Sequence, residues 1–560
     1  MKSVLFSRVA NSGHATILVK CSLCAWIAAF FFVASSGHAT ILVKGELYLR
    51  KRVFRVYMLI VSGLVIVFAF FILLRLSGVD SVLVNGKPEV IPSLREWQGS
   101  TGSFELTSNA RLDVDPAYAQ SLQDTIRIFR SDLFSLTGHM LPVSNTDTPH
   151  SGDLFLTLNA ADPHIGDEGY VLDVGDTVTL RANTTQGIFY GTRTVLQILM
   201  QDSAHSHIVK GIARDYPQYK ERGFMLDVGR KFFSLGELEN YVKLMSWYKM
   251  NDFQLHLNDN EIGVGDSPDW MHKYAAFRLN SDRFKGLAAR DGSYTWEDMR
   301  ELQDVARQYA ITITPEIDTP AHALAFTQYR PAIANKQDSK ELLDLKNPQS
   351  YTFMNAIWNE FLPWFDARQV SIGADEYQRN DADRYRQYIN TYDAYLKRQG
   401  RTVRIWGSLS EMKSSVPVNT DVVVDVWNNN WANPVEMVKE GFNIINSNDN
   451  LLYIVPKAGY YHDYLDTRLL YEKWEPYIFD LTNFQRNLQA DDHHVLGAMF
   501  AEWNDKLGSV VSNADVYARV RPATQTIGEK LWSGTNQDLP YDQFEQLAAR
   551  IGDAPGIYLS

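Results

Sequence analysis

Cysteine is nearly missing from this chain: Cys21 and Cys24 are its only two, and both lie in the apolar N-terminal region. Everything after residue 24 therefore folds without a disulfide and without a thiolate metal site. The pair does form a C-x-x-C, but it sits in an apolar stretch with no βαβ context, which argues against a redox motif. An excess of basic residues is also absent. With 54 Lys and Arg against 66 Asp and Glu, the net charge is -12. A phosphate-binding surface needs the opposite balance, so nucleic acid is not expected as a partner. H-E-x-x-H does not occur, which removes the commonest helical zinc motif. What remains is ordinary globular composition, 45% hydrophobic and 21% charged, over 560 residues, enough for two or three folded units. Thirteen Trp and 28 Tyr favour a ligand with flat apolar faces, such as a sugar ring.

Val56 to Leu74 carries no charge and is long enough to cross a bilayer once. Arg50, Lys51, Arg52 and Arg55 precede it, so the positive-inside rule expects the later chain on the outer side. Leu73-Leu74-Arg75-Leu76 is no small-residue cleavage site, which favours an anchor over a cleaved signal. A further uncharged stretch between Lys20 and Lys44 is a candidate second span. It is flanked by two copies of SGHATILVK, Ser12–Lys20 and Ser36–Lys44, to which no physical function attaches. The expected organisation is an N-terminal transmembrane anchor over 1–76, a linker over 77–99, a small α+β domain over 100–214, a barrel over 215–535 and a C-terminal extension over 536–560.

In the α+β portion, short apolar runs at 152–158, 169–174 and 177–182 predict strands. Tyr118–Leu136 and the stretch from Phe189 predict helices. After Arg222 the rhythm becomes strand, polar junction, helix. Strands are expected at 223–228, 252–257, 311–317, 369–374, 403–407, 422–427, 442–447 and 496–503, with helices such as Leu235–Tyr248 and Trp296–Tyr309 between them. Eight such units over this length predict an α/β fold, a (β/α)8 TIM barrel, with its chemistry at the C-terminal strand ends.

Those ends carry Asp227 and Arg230; His256 and Asp259; Glu316, Asp318 and His322; Asp375 and Glu376; Trp406; Trp427; Tyr453; and Trp503 with Asp505. Asp375 and Glu376 close the run QVSIGA, where Gly373 and Ala374 leave room for a ligand. Two adjacent carboxyls push their pKa values apart, leaving one an acid and the other an anion, a division that suits glycoside cleavage. His322, with Asp318 and Asp259, forms a candidate His–Asp relay tuning Glu376. Three tryptophans closing three strands would wall an aromatic pocket; core packing is the alternative for each. A metal held by His256, Asp259, His322 and Asp375 is the competing use. His256 and Asp259, three apart on an extended segment, should point to opposite faces, so no metal or other cofactor is expected.

The motifs YGTRTVLQIL (190–199), RGFMLDVGRKFF (222–233), HLND (256–259), PEIDTPAHA (315–323), IGADEY (372–377), LYIVPKA (452–458) and Trp503-x-Asp505 occur in one order. Together they make the chain resemble glycoside hydrolase family 20, the β-N-acetylhexosaminidases. The LYIVPKA stretch resembles the branch with poly-N-acetylglucosamine hydrolases and lacto-N-biosidases. The resemblance implies hydrolysis of terminal β-linked N-acetylhexosamine, with retention, the substrate's acetamide oxygen attacking the anomeric carbon to give an oxazolinium. It implies that Asp375 holds the acetamide N–H, that Glu376 is general acid then base, and that Tyr453 binds the acetamide oxygen. Asp259 and His322 would back Glu376, Arg230 and Asp505 would hold ring hydroxyls, and Trp406, Trp427 and Trp503 would wall the pocket. N-acetylhexosamine glycans are the implied partners. Ser371, Ala374, Trp406-Gly407-Ser408 and Asn260 depart from the family pattern at the pocket edge. Disaccharide release, for which the long segment 260–293 would set the room beyond the terminal sugar, and a silent carbohydrate-binding protein are the alternatives.

Overall fold

A computed structural model describes residues 84–263, 267–506, 511–535 and 538–558. The expected anchor, the possible second span and the repeat lie outside these residues. Among the described residues no helix is long and apolar enough to cross a membrane.

The first layered unit is a seven-stranded mixed sheet: β1 (Glu96–Glu105), β2 (Leu112–Val114), β3 (Val143–Asn145), β4 (Leu154–Thr157), β5 (Tyr170–Val174), β6 (Val178–Ala182) and β7 (His207–Asp215), in the order β1-β7-β5-β6-β4-β2-β3. Helices Gln123–Thr137 and Thr185–Gln201 accompany it. The second helix is buried on nearly all sides, as a helix wedged between two layers must be. Its Tyr190 hydroxyl donates to Met250 O at 3.1 Å and Gln197 to Trp247 O at 3.1 Å, which ties the sheet unit to the barrel. Gly187 lets this helix lie close on its own sheet: a Cβ there would lie 2.3 Å from Gly169 O.

The expected linker over 77–99 is corrected from residue 84 onward. Ile91 and Leu94 are wholly buried, Ile91 N–H donates to Gln197 Oε1 at 2.8 Å, and β1 already begins at Glu96. Burying two such side chains contributes about 1.5–3 kcal/mol each, which a free linker would forgo.

Eight parallel strands make the barrel: β8 (Glu221–Asp227), β9 (Asp252–His256), β12 (Thr312–Glu316), β13 (Gln369–Ser371), β14 (Thr402–Trp406), β15 (Val423–Val426), β16 (Ile444–Asn446) and β18 (Val495–Glu502). The ring closes through β16 on β18 and β18 on β8. Two short strands after β9, β10 (Asn258–Asn260) and β11 (Ala275–Phe277), pair antiparallel beside the mouth, and β17 (Tyr453–Ile454) adds to the end of β18. Capping boxes at Ser234–Glu237, Thr295–Asp298 and Ser512–Asp515 start three of the outer helices by satisfying otherwise unpaired N–H groups. The C-terminal helix Tyr541–Ile551 packs back, with Phe544 stacked on Tyr471 at 4.4 Å. Inside the barrel, Met225, Val423, Ile445, Met499 and Ala501 form an apolar column that ends upward in Trp406, Trp427 and Tyr453. That column is the floor of the candidate site.

Candidate active site

Each chemical group stands where a strand stops. Asp227 ends β8 and is fully buried. Its carboxylate accepts from Arg230 N–H at 2.8 Å, from the Arg230 guanidinium at 3.0 Å and from Asn504 N–H at 3.0 Å. Arg230 is thereby aimed across the mouth, where Nη2 meets Asp259 at 2.8 Å and Nη1 stands 3.6 Å from Asp505. Asp505 also accepts from the Tyr460 hydroxyl at 2.8 Å.

Asp259 is the hub. One oxygen takes His322 Nδ1 at 3.0 Å; the other takes His256 Nε2 at 2.7 Å and Arg230. The expectation that His256 and Asp259 face apart is therefore wrong. β9 stops at His256, and Leu257 leaves the strand to lead into the separate β10–β11 hairpin. The two side chains are not on one extended segment, so the alternation rule does not govern them. Burial raises the Asp259 carboxyl, but Arg230 and the histidines outweigh it and hold it well below the usual carboxylate range.

His322 carries this charge to the carboxylate pair. Its backbone is left-handed, φ +50°, as are those of Ala374 at +64° and Glu376 at +44°. Non-glycine residues there are strained, by roughly 1–3 kcal/mol each, and such strain clusters at functional sites. Nε2 of His322 lies 3.4 Å from Glu376 and 3.7 Å from Asp375, near enough for ion pairing though short of hydrogen-bond geometry. Burial lowers His322, but Asp259, Asp375 and Asp318 more than reverse this and hold it protonated well above its ordinary range. Gly373, at φ +68°, lets the chain pass Asp318: a Cβ there would fall 1.7 Å from Asp318 Oδ1, which accepts from Ala374 N–H at 3.2 Å.

The two carboxyls shift in opposite directions, and the direction is the reverse of the expected roles. Asp375 is buried, and desolvation with the charge of Glu376 raises it to about 7 against the opposing pull of His322. Glu376 has a side chain 48% exposed and is lowered by His322. Asp375 Oδ1 is buried without a hydrogen-bond partner, a rare condition that calls for an explanation.

Over this pair stands an aromatic wall. Trp406, Trp503 and Tyr453 pack with ring centroids 5.6–6.4 Å apart. Trp406 is fixed by donating to Glu316 at 2.6 Å, and Glu316 also meets His256 at 3.1 Å. Trp427 belongs to the same apolar cluster but shows no ring contact with those three. It stacks on Trp431 at 6.0 Å and donates to Gly407 O at 2.9 Å. Three further supports did not stand out in the sequence. Asn504 clamps Asp227, Tyr460 holds Asp505, and Tyr461 packs on Tyr453 at 5.6 Å while donating to Asp449 at 3.1 Å. The Tyr460-Tyr461 doublet soon after LYIVPKA is a signal that could have found the two tyrosines; Asn504 lies unmarked between Trp503 and Asp505. His256, Glu316 and Asp318, and likewise Asp318, His322 and Asp375, have carboxylate and imidazole atoms close enough to share an ion. In this arrangement His256 and His322 already engage Asp259 and the carboxylates.

Residues 219–386 and 378–535 match the glycosyl hydrolase family 20 catalytic domain, and 87–216 match domain 2 of that family. The chain belongs to glycosyl hydrolase family 20. It is 23% identical over 500 residues to "Lacto-N-biosidase" from Bifidobacterium bifidum, covering 83% of this chain and 42% of that protein. It is 26% identical over 446 residues to "Beta-hexosaminidase" from Emericella nidulans, covering 67% and 71%. The fold matches the β-N-acetylhexosaminidase of Streptomyces coelicolor A3(2) with TM-score 0.70 at 21% identity, over 85% of this chain and 99% of that one. Membership in family 20 makes this a glycoside hydrolase, and the eight-stranded parallel barrel agrees with the expected fold.

Proposed function

We propose that this glycoside hydrolase is a retaining β-N-acetylhexosaminidase that uses the acetamide of its own substrate as nucleophile. The observation that carries the reading is the buried Asp375 carboxyl, close to Tyr453 of the aromatic wall and sharing His322 Nε2 with Glu376. A conventional retaining hydrolase sets two carboxyls on opposite sides of the scissile bond. Here the two candidates are neighbours in sequence and share one histidine, which suits an acid and a positioning group. Asp375 accepts the acetamide N–H and turns its oxygen toward the anomeric carbon. The Tyr453 hydroxyl steadies that oxygen, and the indoles exclude water. Holding nucleophile and carbon together supplies on the order of 7–11 kcal/mol. Glu376 protonates the leaving oxygen, and later takes a proton from the water that opens the oxazolinium. Arg230 and Asp505 hold ring hydroxyls of the terminal sugar.

The test is substrate chemistry. An aryl β-N-acetylglucosaminide should turn over and its 2-hydroxy counterpart should not; comparable rates on both would remove the acetamide from the mechanism. Release of a disaccharide is the second reading, favoured by the similarity to the Bifidobacterium protein. Products from N-acetylhexosamine oligosaccharides separate the two. We also place the barrel outside the cytoplasm, held by residues 56–74, because an uncharged run preceded by four basic residues supports that orientation. Solubilisation of the full chain by carbonate without detergent would refute the anchor.

A further inference from the structure

Two buried groups that the mechanism above does not use stand side by side beneath the mouth. β9 and β12 run parallel with Glu316 opposite His256, and side chains at matched positions of neighbouring strands point to one face. Both residues are wholly buried. His256 Nε2 lies 2.7 Å from Asp259 Oδ2, and Nδ1 lies 3.1 Å from Glu316 Oε1, at ion-pair distance though not aligned as a hydrogen bond. Each ring nitrogen thus faces a carboxylate oxygen. A neutral imidazole carries one N–H and would set its other lone pair against a carboxylate; only the imidazolium presents a donor on both sides.

Glu316 is itself held from two directions. Oε1 accepts from the Trp406 indole at 2.6 Å and Oε2 from Gln254 Nε2 at 2.7 Å. Arg404 donates to Gln254 Oε1 at 3.0 Å, which turns the amide donor toward Glu316. Two donors aimed at two oxygens suit a carboxylate, which accepts at both. Other charged groups surround the ring. Asp318 has an oxygen within 4.8 Å of both His256 and Glu316, Asp227 lies beside His256 in register on β8, and Asp375 feels its charge. Arg230 and His322 share Asp259 with it. Burial lowers His256, but Glu316 and Asp259 more than reverse this and hold it well above its ordinary range.

Acid and base therefore alternate along one row, Glu316–His256–Asp259–His322–Glu376, of which the proposed cleavage uses only the last three. A cation fixed on the far side of Asp259 opposes protonation of that carboxylate, so the proton of His322 has no acceptor behind it. The same ring packs edge-on against Trp503 at 4.9 Å, while Glu316 anchors Trp406. Relay and pocket wall are thus built on one pair of side chains. We propose that His256 is a positioning residue of the hydrolysis: locked as an imidazolium between Glu316 and Asp259, it holds Asp259 anionic and keeps the relay proton on His322 for Glu376. The assignment rests on the hexosaminidase reading, since that proton matters only where Glu376 is the acid.

His256→Gln keeps a donor for Asp259 and removes the charge. Its kcat/KM for chitobiose, which needs the acid, should fall by roughly tenfold or more, part of the 10²–10⁴-fold a positioned acid supplies. The loss on 4-nitrophenyl β-N-acetylglucosaminide should be several-fold smaller. Removing a buried cation also makes nearby carboxyls harder to ionise, so both limbs of the kcat/KM–pH profile should move to higher pH. A side chain that merely fills space would weaken both substrates alike and leave the limbs in place; that result, in a variant whose melt shows it folded, overturns the proposal. A measurement on the wild-type chain needs no folded variant. With 15N-labelled histidine near pH 8.5, about two units above the usual imidazole value, two rings should keep both N–H protons, His256 and His322. One such ring or none refutes the charged row. A wild-type chain that turns over neither substrate overturns the hexosaminidase reading instead.

Discussion

Replacing Glu376 by Gln removes a transferable proton while keeping length and polarity, and the structure allows its size to be estimated. The side chain is 48% exposed and its close charged neighbour is His322 at 3.4 Å. An exposed pair of this kind contributes no more than about 1 kcal/mol to stability. Glu376 is held below its ordinary value, so whatever stability it adds is present above the unfolded pKa and lost as pH falls through the lower folded one. Glu376→Gln should therefore melt close to the wild type at neutral pH. The catalytic effect should be much larger. Positioned general acids contribute about 10²–10⁴-fold, or roughly 3–5 kcal/mol of barrier.

That loss must depend on the leaving group. A β-linked sugar leaves as a poor alkoxide and needs the proton, whereas a nitrophenolate leaves almost unaided. The assay is kcat/KM for Glu376→Gln and wild type on chitobiose and on 4-nitrophenyl β-N-acetylglucosaminide, which share a glycone. Chitobiose should fall by 10²-fold or more and the aryl glycoside should keep most of its first-step rate, seen in the pre-steady-state release of nitrophenol. An equal fall on both substrates would refute the acid assignment and make Glu376 a binding group.

Other consequences are as direct. Asp375 has its carboxyl raised to about 7. Its neutral form is favoured in the fold, so that contribution is present below the unfolded value and lost as pH rises through about 7. Asp375→Asn fixes the neutral form, and its melting temperature should gain on the wild type between pH 5 and 8, with an upper bound of about 3 kcal/mol at 1.36 per pH unit from 5 to about 7; parallel curves would contradict this. Gly373→Ala forces a Cβ to 1.7 Å from Asp318 at φ +68°, so it should lose soluble expression or most of its stability in a thermal melt. Arg230→Ala strips the partner from Asp227 and Asp259, both buried. Breaking a buried ionic cluster costs about 3–5 kcal/mol; Arg230→Lys should restore part of the melting temperature and less of KM, since it cannot fork between two carboxylates.

The barrel was legible because strands covered on both faces read as continuous apolar runs, and all eight expected runs overlap an observed strand. The mouth was legible because polar residues break those runs at one end each. Less visible were contacts made by chain reversals. Nothing in HLND signals that Leu257 leaves the strand, yet that departure lets Asp259 collect His256, His322 and Arg230. Nor does the polar stretch at 77–99 disclose that Ile91 is buried against Gln197 from the far side of the small domain.

The polarity of the carboxylate pair is the point at which structure adds most to the sequence. Adjacency alone predicts that two carboxyls split, and geometry says which way. Burial raises the Asp375 carboxyl to about 7 and His322 lowers that of Glu376, although the proposed cleavage needs the proton on Glu376. On the proposed reading a bound N-acetylhexosamine would act on both halves. Its N–H would donate to the Asp375 carboxylate and stabilise the anion there, while its ring would cover Glu376 and remove the water that stabilises the other anion. Each change moves the proton toward the glycosidic oxygen, with His322 in contact with both carboxyls. If the proposed mechanism holds, the acetamide itself arms the acid, and a sugar lacking that group should fail twice, for want of a nucleophile and for want of a protonated Glu376.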